Sequence, residues 1–167
     1  MNFYITSGTP NFMERLLKKY RSENMIILYG TQETLLLHET NRKTVFQTPR
    51  KYEVVHGVNE LVQKGYFVIN HFPVSDEARP IFEKHFLSRT VDMEKEPGFI
   101  AFRLLRPIKS DTYVAISQWV GKHSFEAWKN SKVYSEGLLG LQKQNIFNAS
   151  SYLTTYTGVQ PKKEENE

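Results

Sequence analysis

The chain has 167 residues, no cysteine and a net charge of +4, and these numbers exclude several classes of protein. Without cysteine there is no disulfide, no thiol catalysis and no zinc-ribbon or iron–sulfur site. The 22 Lys and Arg residues are scattered among 18 acidic residues instead of forming the stripe that a nucleic-acid surface needs, so we expect no nucleic-acid partner. No apolar run is long enough for a transmembrane segment and no secretory leader is recognised, so we expect a cytoplasmic protein.

Residues 1–65 are predicted to form an N-terminal half, which we interpret as a degenerate partner of the second half. Apolar residues alternate or run together in its predicted strands, Asn2–Thr6, Met25–Tyr29, Leu35–Glu39 and Thr44–Thr48. Apolar residues recur at helical spacing in its predicted helices, Asn11–Tyr20 and Glu53–Val62.

Residues 66–160 are predicted to form a second half with a strand–helix–strand–strand–helix–strand order, which is the ferredoxin-like order. Its predicted strands are Tyr66–Phe72, Phe99–Leu105, Tyr113–Val120 and Ser151–Gly158. Its predicted helices are Asp76–Ser88, a helix that carries Phe125 and Trp128, and a broken helical stretch through Gly137 and Gly140. Residues 161–167 have no hydrophobic anchor and are predicted to be a frayed tail.

The predicted strands of the second half are apolar on both faces. In the first of them, Tyr66, Val68 and Phe72 alternate with Phe67 and Ile69. An antiparallel sheet with one wet face would alternate apolar and polar residues, so both faces must be covered. Helices cover one face, and the first half of the chain is the candidate for the other. We therefore predict an α+β protein of the ferredoxin-like, dimeric α/β barrel type, built as a single-chain pseudo-dimer and monomeric.

Two residues of the second half attract attention. Asn70 is a polar residue on the side of its strand that carries Tyr66, Val68 and Phe72, and Trp128 follows Phe125 at helical spacing. Asn70 is either an amide tied to neighbouring backbone or a hydrogen-bond donor aimed into a ligand cavity. Trp128 is either ordinary core or a cavity wall, and the residues alone do not choose between these interpretations.

Four sequence blocks of the second half resemble the haem-degrading monooxygenases of the antibiotic biosynthesis monooxygenase superfamily. They are Gly65–Asn70, Glu96–Phe99, Tyr113–Trp119 and His123–Ser131. The resemblance covers roughly Tyr66 to Gly158. It implies haem as cofactor, an electron donor as partner, and catalytic roles for Asn70 and Trp128. In the family, the equivalent of Asn70 hydrogen-bonds near the open side of the iron, and the equivalent of Trp128 presses on the macrocycle.

The third site residue of that family, a histidine, is replaced here by Leu138, which has no lone pair to offer to iron. Tyr134 lies one helical turn earlier and could coordinate through its phenolate. The resemblance thus gives a haem-contacting set of Asn70, Trp128, Tyr134 and Leu138, with the metal ligand left open. The five histidines form no HxH or HxxxH pair, which argues against a dedicated metal site. We expect haem binding and activity to be weak or absent.

The chain length and the N-terminal half resemble two kinds of long-chain relative. One is a single-chain haem monooxygenase with a non-catalytic N-terminal half, and the other is the TRAP-type signal transduction protein, whose name stands for target of RNAIII-activating protein. The blocks that carry this resemblance are Tyr52–Val55 and Phe102–Pro107. Proteins of this type are described as phosphorylated on histidine, but the aligned positions here lie near Gly65, Ala78 and Ala149. The alternative to a haem-degrading monooxygenase is therefore a non-enzymatic TRAP-like signalling protein, without a phosphorylation site that can be carried over.

Overall fold

The computed structural model describes residues 1–143 and 146–160, and it gives only the backbone of Leu138, Gln142 and Lys143. The predicted frayed tail, 161–167, lies outside the described residues. The strands of the described chain are β1 (Asn2–Gly8), β2 (Met25–Tyr29), β3 (Thr34–Thr40), β4 (Arg50–Val58), β5 (Tyr66–Pro73), β6 (Phe99–Pro107), β7 (Thr112–Trp119) and β8 (Tyr152–Thr157). Its helices are α1 (Pro10–Lys19), α2 (Arg79–Leu87), α3 (Thr90–Glu94), α4 (Lys122–Lys129) and α5 (Lys132–Lys143).

The strands form one closed antiparallel barrel in the order β1-β3-β2-β8-β5-β7-β6-β4. Within this ring the first half of the chain contributes β4-β1-β3-β2 and the second half contributes β8-β5-β7-β6. Both halves therefore place their four strands in the same relative order, that of a ferredoxin-like sheet. The ring closes where β4 pairs with β6 and where β2 pairs with β8. The predicted α+β, ferredoxin-like architecture is confirmed, with the two sheets related as the subunits of a two-chain barrel would be.

The two faces of the second-half sheet are buried in different ways. Phe67 and Ile69 of β5 point into the barrel, where they pack with residues of both halves such as Phe3 and Leu105. Val68, on the other face, packs beneath the helices of the second half. The predicted double burial is therefore correct, because the barrel interior covers one face and α2–α5 cover the other.

The first half carries one helix, α1, on its outer face. Thr9 caps this helix by accepting a hydrogen bond from the Phe12 backbone N–H at 3.3 Å, and Pro10 occupies its first turn. Met13 is its fully buried anchor on the sheet. The segment 41–49, which follows β3, has no regular structure and lays Phe46 on the same outer face.

Two predicted elements of the first half are wrong. The residues of the predicted strand Thr44–Thr48 are irregular, because the Thr44 hydroxyl bonds to His38 Nδ1 at 3.2 Å and accepts from the Phe46 backbone N–H at 3.2 Å. The predicted helix Glu53–Val62 is instead largely strand β4. Its valines suit a strand, and its pairing with β1 and β6 outweighs the helical spacing of the apolar residues.

The connection between the halves is fastened by two glutamine side chains. Gln118 of β7, which is fully buried, donates to the backbone oxygens of Val62 and Lys64 and accepts from the Val62 N–H. Gln63 donates to the oxygens of Ile27 and Gly158 at the β2–β8 junction and accepts from the Ile27 N–H. Along the described chain, no helix combines the length and apolarity needed to span a membrane.

Candidate functional site

A cavity of about 90 Å³ lies between the outer face of the second-half sheet and the helices α2–α5. The sheet forms its floor with Asn70, Phe72, Phe102, Ala115 and Ser117. The helical side is formed by His85, Phe86, Arg89, Thr90, Met93, Phe125, Trp128, Val133, Tyr134, Gly137 and Leu141. Most of these side chains are apolar or aromatic, so the few polar groups among them fix the chemistry of the site.

Asn70 is half-buried on β5 and faces the cavity floor. Because side chains alternate along a strand, Asn70 lies on the same face of the sheet as Val68 and Phe72, and it points away from the barrel interior. It lies opposite Ala115 of β7 in the strand register, and the small alanine leaves space above the sheet beside the amide. No side-chain hydrogen bond of Asn70 is formed within the described part of the chain. The amide is thus available to a group in the cavity.

Trp128 is buried at 7% exposure and lines the cavity from α4. Phe125, three residues earlier, lies on the same helix face and also lines the cavity, as helical spacing requires. The Trp128 indole meets the Tyr134 ring edge to face at a centroid distance of 6.0 Å. The structure therefore brings together Asn70, Trp128 and Tyr134, which come from a strand and two different helices.

Tyr134 occupies the first turn of α5, where its backbone N–H donates to the Ser131 hydroxyl at 3.2 Å. Burial raises the pKa of Tyr134 above that of an ordinary tyrosine, so its hydroxyl stays protonated at neutral pH and coordination through a phenolate is disfavoured. The backbone of Leu138 lies on the same helix, but its side chain is outside the described atoms. Its neighbours Gly137 and Leu141 both line the cavity.

Two residues that the sequence interpretation did not select also line the cavity. His85 lies on α2, and its Nε2 is buried without a hydrogen-bond partner among the described residues. Arg89 follows α2, and the stem of its side chain runs past the α carbon of Gly137. The sequence feature that could have identified them is the helical spacing of Phe82, His85 and Arg89. This spacing places both polar residues on the buried face of the helix that Phe82 anchors.

The electrostatics of the cavity suit an organic ligand better than a bare ion. In the described portion of the chain, no group of three His, Asp or Glu residues is placed to hold a metal. The aromatic walls offer ring faces to a flat apolar molecule, while Asn70, Ser117, His85 and Arg89 offer polar contacts at its edges or face.

The chain is similar to several known proteins. Residues 65–137 match the family model described as Antibiotic biosynthesis monooxygenase. A protein of Listeria monocytogenes named "Heme-degrading monooxygenase" is 24% identical over 153 residues, which cover 92% of each chain. "Signal transduction protein TRAP" of Staphylococcus epidermidis is 22% identical over 156 residues, 93% of each chain. The solved structure of a major regulator of staphylococcal pathogenesis superimposes with a TM-score of 0.88 at 20% identity, covering 96% of this chain and all of that one.

Proposed function

We propose that this protein, in which residues 65–137 match the family model described as Antibiotic biosynthesis monooxygenase, binds haem in the cavity beneath α2–α5 and is of the haem-degrading monooxygenase type. The observation that carries the proposal is the convergence of Asn70 and Trp128 on one aromatic cavity. A relative of nearly equal length that is named a heme-degrading monooxygenase supports it. We also propose that the protein is cytoplasmic and monomeric.

The lining residues fit a haem chemically. Phe72, Phe102 and Trp128 present aromatic surface to a macrocycle, and the cationic Arg89 suits the carboxylates at its edge. The unpartnered Nε2 of His85 is a nitrogen of the kind that binds haem iron.

The volume of the cavity sets a condition on binding. About 90 Å³ is well below the roughly 300–1,000 Å³ of pockets that enclose drug-sized molecules. The cavity must therefore enlarge to admit a macrocycle, and we propose that helix α5 moves outward. Gly137 and Gly140 of α5 lie against Arg89 and His85 and have no side chains. The contact between α5 and these two residues therefore includes few side-chain atoms, so little van der Waals attraction opposes the separation of α5 from them.

The residues that line the cavity would have different roles toward a bound haem. Haem, when bound, supplies the redox chemistry, with electrons from a separate donor. Asn70 offers its side-chain N–H groups to a polar group in the cavity, and the low polarity around it strengthens that hydrogen bond. Trp128, held by Tyr134, fixes the orientation of the flat ligand and excludes water from one side. Leu138 supplies no ligand to iron, so we expect turnover to be weak.

The second candidate is a non-enzymatic, TRAP-like signalling protein. Two observations favour it: leucine stands at position 138, and the cavity is small. Relatives named signal transduction protein TRAP are 22% identical over 93% of this chain, and the heme-degrading monooxygenase relative covers 92% of it.

A titration with ferric haem separates the two candidates. If the first is correct, the Soret absorption shifts and saturates at one haem per chain, and a reductant such as ascorbate in air then bleaches the band slowly. A saturable shift without bleaching would identify a haem-binding protein that lacks the activity. A haem spectrum unchanged by the protein would favour the signalling candidate.

A further inference from the structure

We propose that the imidazole of His85, on α2, coordinates the haem iron in this protein, in place of a residue at position 138 on α5. This inference rests on the proposed haem binding and assigns the ligand that the sequence left open. It moves the coordinating side chain from the last helix of the second half to the first.

The first support is the unsatisfied state of His85. A neutral histidine ring has one N–H donor and one lone pair, and Nε2 is buried with no partner among the described residues. An unpaired buried polar atom is unfavourable, and a bound ligand would pair it. Phe82, fully buried one turn earlier, holds α2 on the sheet and thereby fixes the position of His85 at the cavity wall.

The second support is that the other histidines of the chain are engaged or remote. His38 is fully buried in the first half, between Glu23 at 2.9 Å and Thr44. His71 bonds to Thr154 and stacks on Tyr152 at 4.3 Å. His56 and His123 do not line the cavity, and His123 is exposed. Of the five histidines, His85 alone lines this cavity.

The third support is the way in which α5 covers the ring. A Cβ at Gly140 would lie 3.1 Å from Cε1 and 3.3 Å from Nε2 of His85, so the glycine lets α5 close over the nitrogen. The outward movement of α5 that we propose for admitting a macrocycle would therefore also uncover Nε2. One displacement supplies both the space and the ligand.

The experiment compares haem spectra of the unmodified protein with those of His85→Ala, His85→Gln, Tyr134→Phe and His123→Ala. We expect the unmodified protein, Tyr134→Phe and His123→Ala to share an imidazole-type Soret spectrum. We expect both His85 variants to lose that spectrum and to bind haem at least about tenfold more weakly, since even outer-shell losses at metal sites cost 10–100-fold. Free imidazole added to His85→Ala should restore the spectrum, because it can occupy the vacated space.

The outcomes separate this inference from the proposed function. An imidazole-type spectrum that persists in both His85 variants would overturn the assignment of His85 while leaving haem binding intact. The unmodified protein could also bind haem saturably with a phenolate-type spectrum that is lost in Tyr134→Phe. That result would likewise overturn the assignment of His85 and leave haem binding intact. Failure of the unmodified protein to bind haem would overturn both proposals. Circular dichroism of each variant checks that it is folded, and His85→Gln serves if His85→Ala is not.

Discussion

The indole of Trp128 and the phenol ring of Tyr134 meet edge to face, with centroids 6.0 Å apart and planes inclined at 78°. Such a contact contributes about 0.5–1.5 kcal/mol beyond the area that it buries. It joins α4 to α5 across one wall of the cavity. A movement of α5 that admits a ligand must therefore preserve this contact or lose its stabilisation.

Trp128→Ala should abolish haem binding and cost less stability than the removal of an ordinary buried tryptophan. Deleting a core tryptophan typically costs about 3–5 kcal/mol, but part of Trp128 borders the cavity and makes fewer contacts there. Urea unfolding and a haem titration measure the two effects. Trp119→Ala is the matched control, because Trp119 is fully buried, bonds to Ser117 and is not a cavity residue. A large loss of stability in Trp128→Ala with haem binding unchanged would identify plain core packing.

Asn70→Leu should leave the free energy of unfolding unchanged or slightly raised while it lowers haem turnover. The substitution keeps the branching and the number of side-chain heavy atoms, and no hydrogen bond of the Asn70 amide within the described chain is lost. If Asn70 were instead tied to neighbouring backbone, its loss would destabilise the protein by about 1–3 kcal/mol. Chemical denaturation thus decides between the two interpretations of this residue, independently of any haem assay.

Gln118→Ala should destabilise the protein by about 1–3 kcal/mol or more, because it leaves backbone groups of Val62 and Lys64 unpaired. Gln32→Ala, at an exposed position in the β2–β3 loop, should change stability by no more than about 0.5 kcal/mol. Equal unfolding midpoints for the two variants would show that the connection between the halves does not depend on Gln118.

Stability should fall as the pH is lowered from about 6.5 toward 4, partly because of His71. Burial, with a smaller effect of Arg50, lowers the pKa of His71 to about 4, so the folded protein favours the neutral ring. In the unfolded chain the ring takes up a proton near pH 6.5, so its contribution is complete above that pH and is lost on acidification. His71→Gln should reduce the difference between urea midpoints at pH 7 and pH 5, whereas His123→Gln should not. If the difference between the urea midpoints at the two pH values is the same in His71→Gln as in the unmodified protein, the acid sensitivity comes from other groups.

The protein should sediment as a monomer at all accessible concentrations. The eight strands close their ring within one chain, so the described sheet has no free edge through which a second copy could pair. Joining the halves covalently also removes the association entropy that two subunits would lose. A concentration-independent dimer mass in analytical ultracentrifugation would contradict this prediction.

The sequence predicted those features that depend on local periodicity. The alternation around Asn70 and the spacing of Phe125 and Trp128 were sufficient to place both residues on the faces that line the cavity. Strand β4 could not be predicted in this way, because its conformation is decided by pairing with β1 and β6, which are distant in sequence. His85 was overlooked for a related reason. Its significance lies in an unpaired nitrogen beside Gly140, which only the packing of α2 against α5 reveals.

The most direct test of the central claim is a haem titration of the unmodified protein, followed by absorption and by sedimentation of the complex. The account predicts a saturable Soret shift at one haem per chain, with the bound haem on the monomer, and its loss in Trp128→Ala. A protein that leaves the haem spectrum unchanged, or that binds haem equally well after Trp128→Ala, would contradict the assignment of this cavity as the haem site.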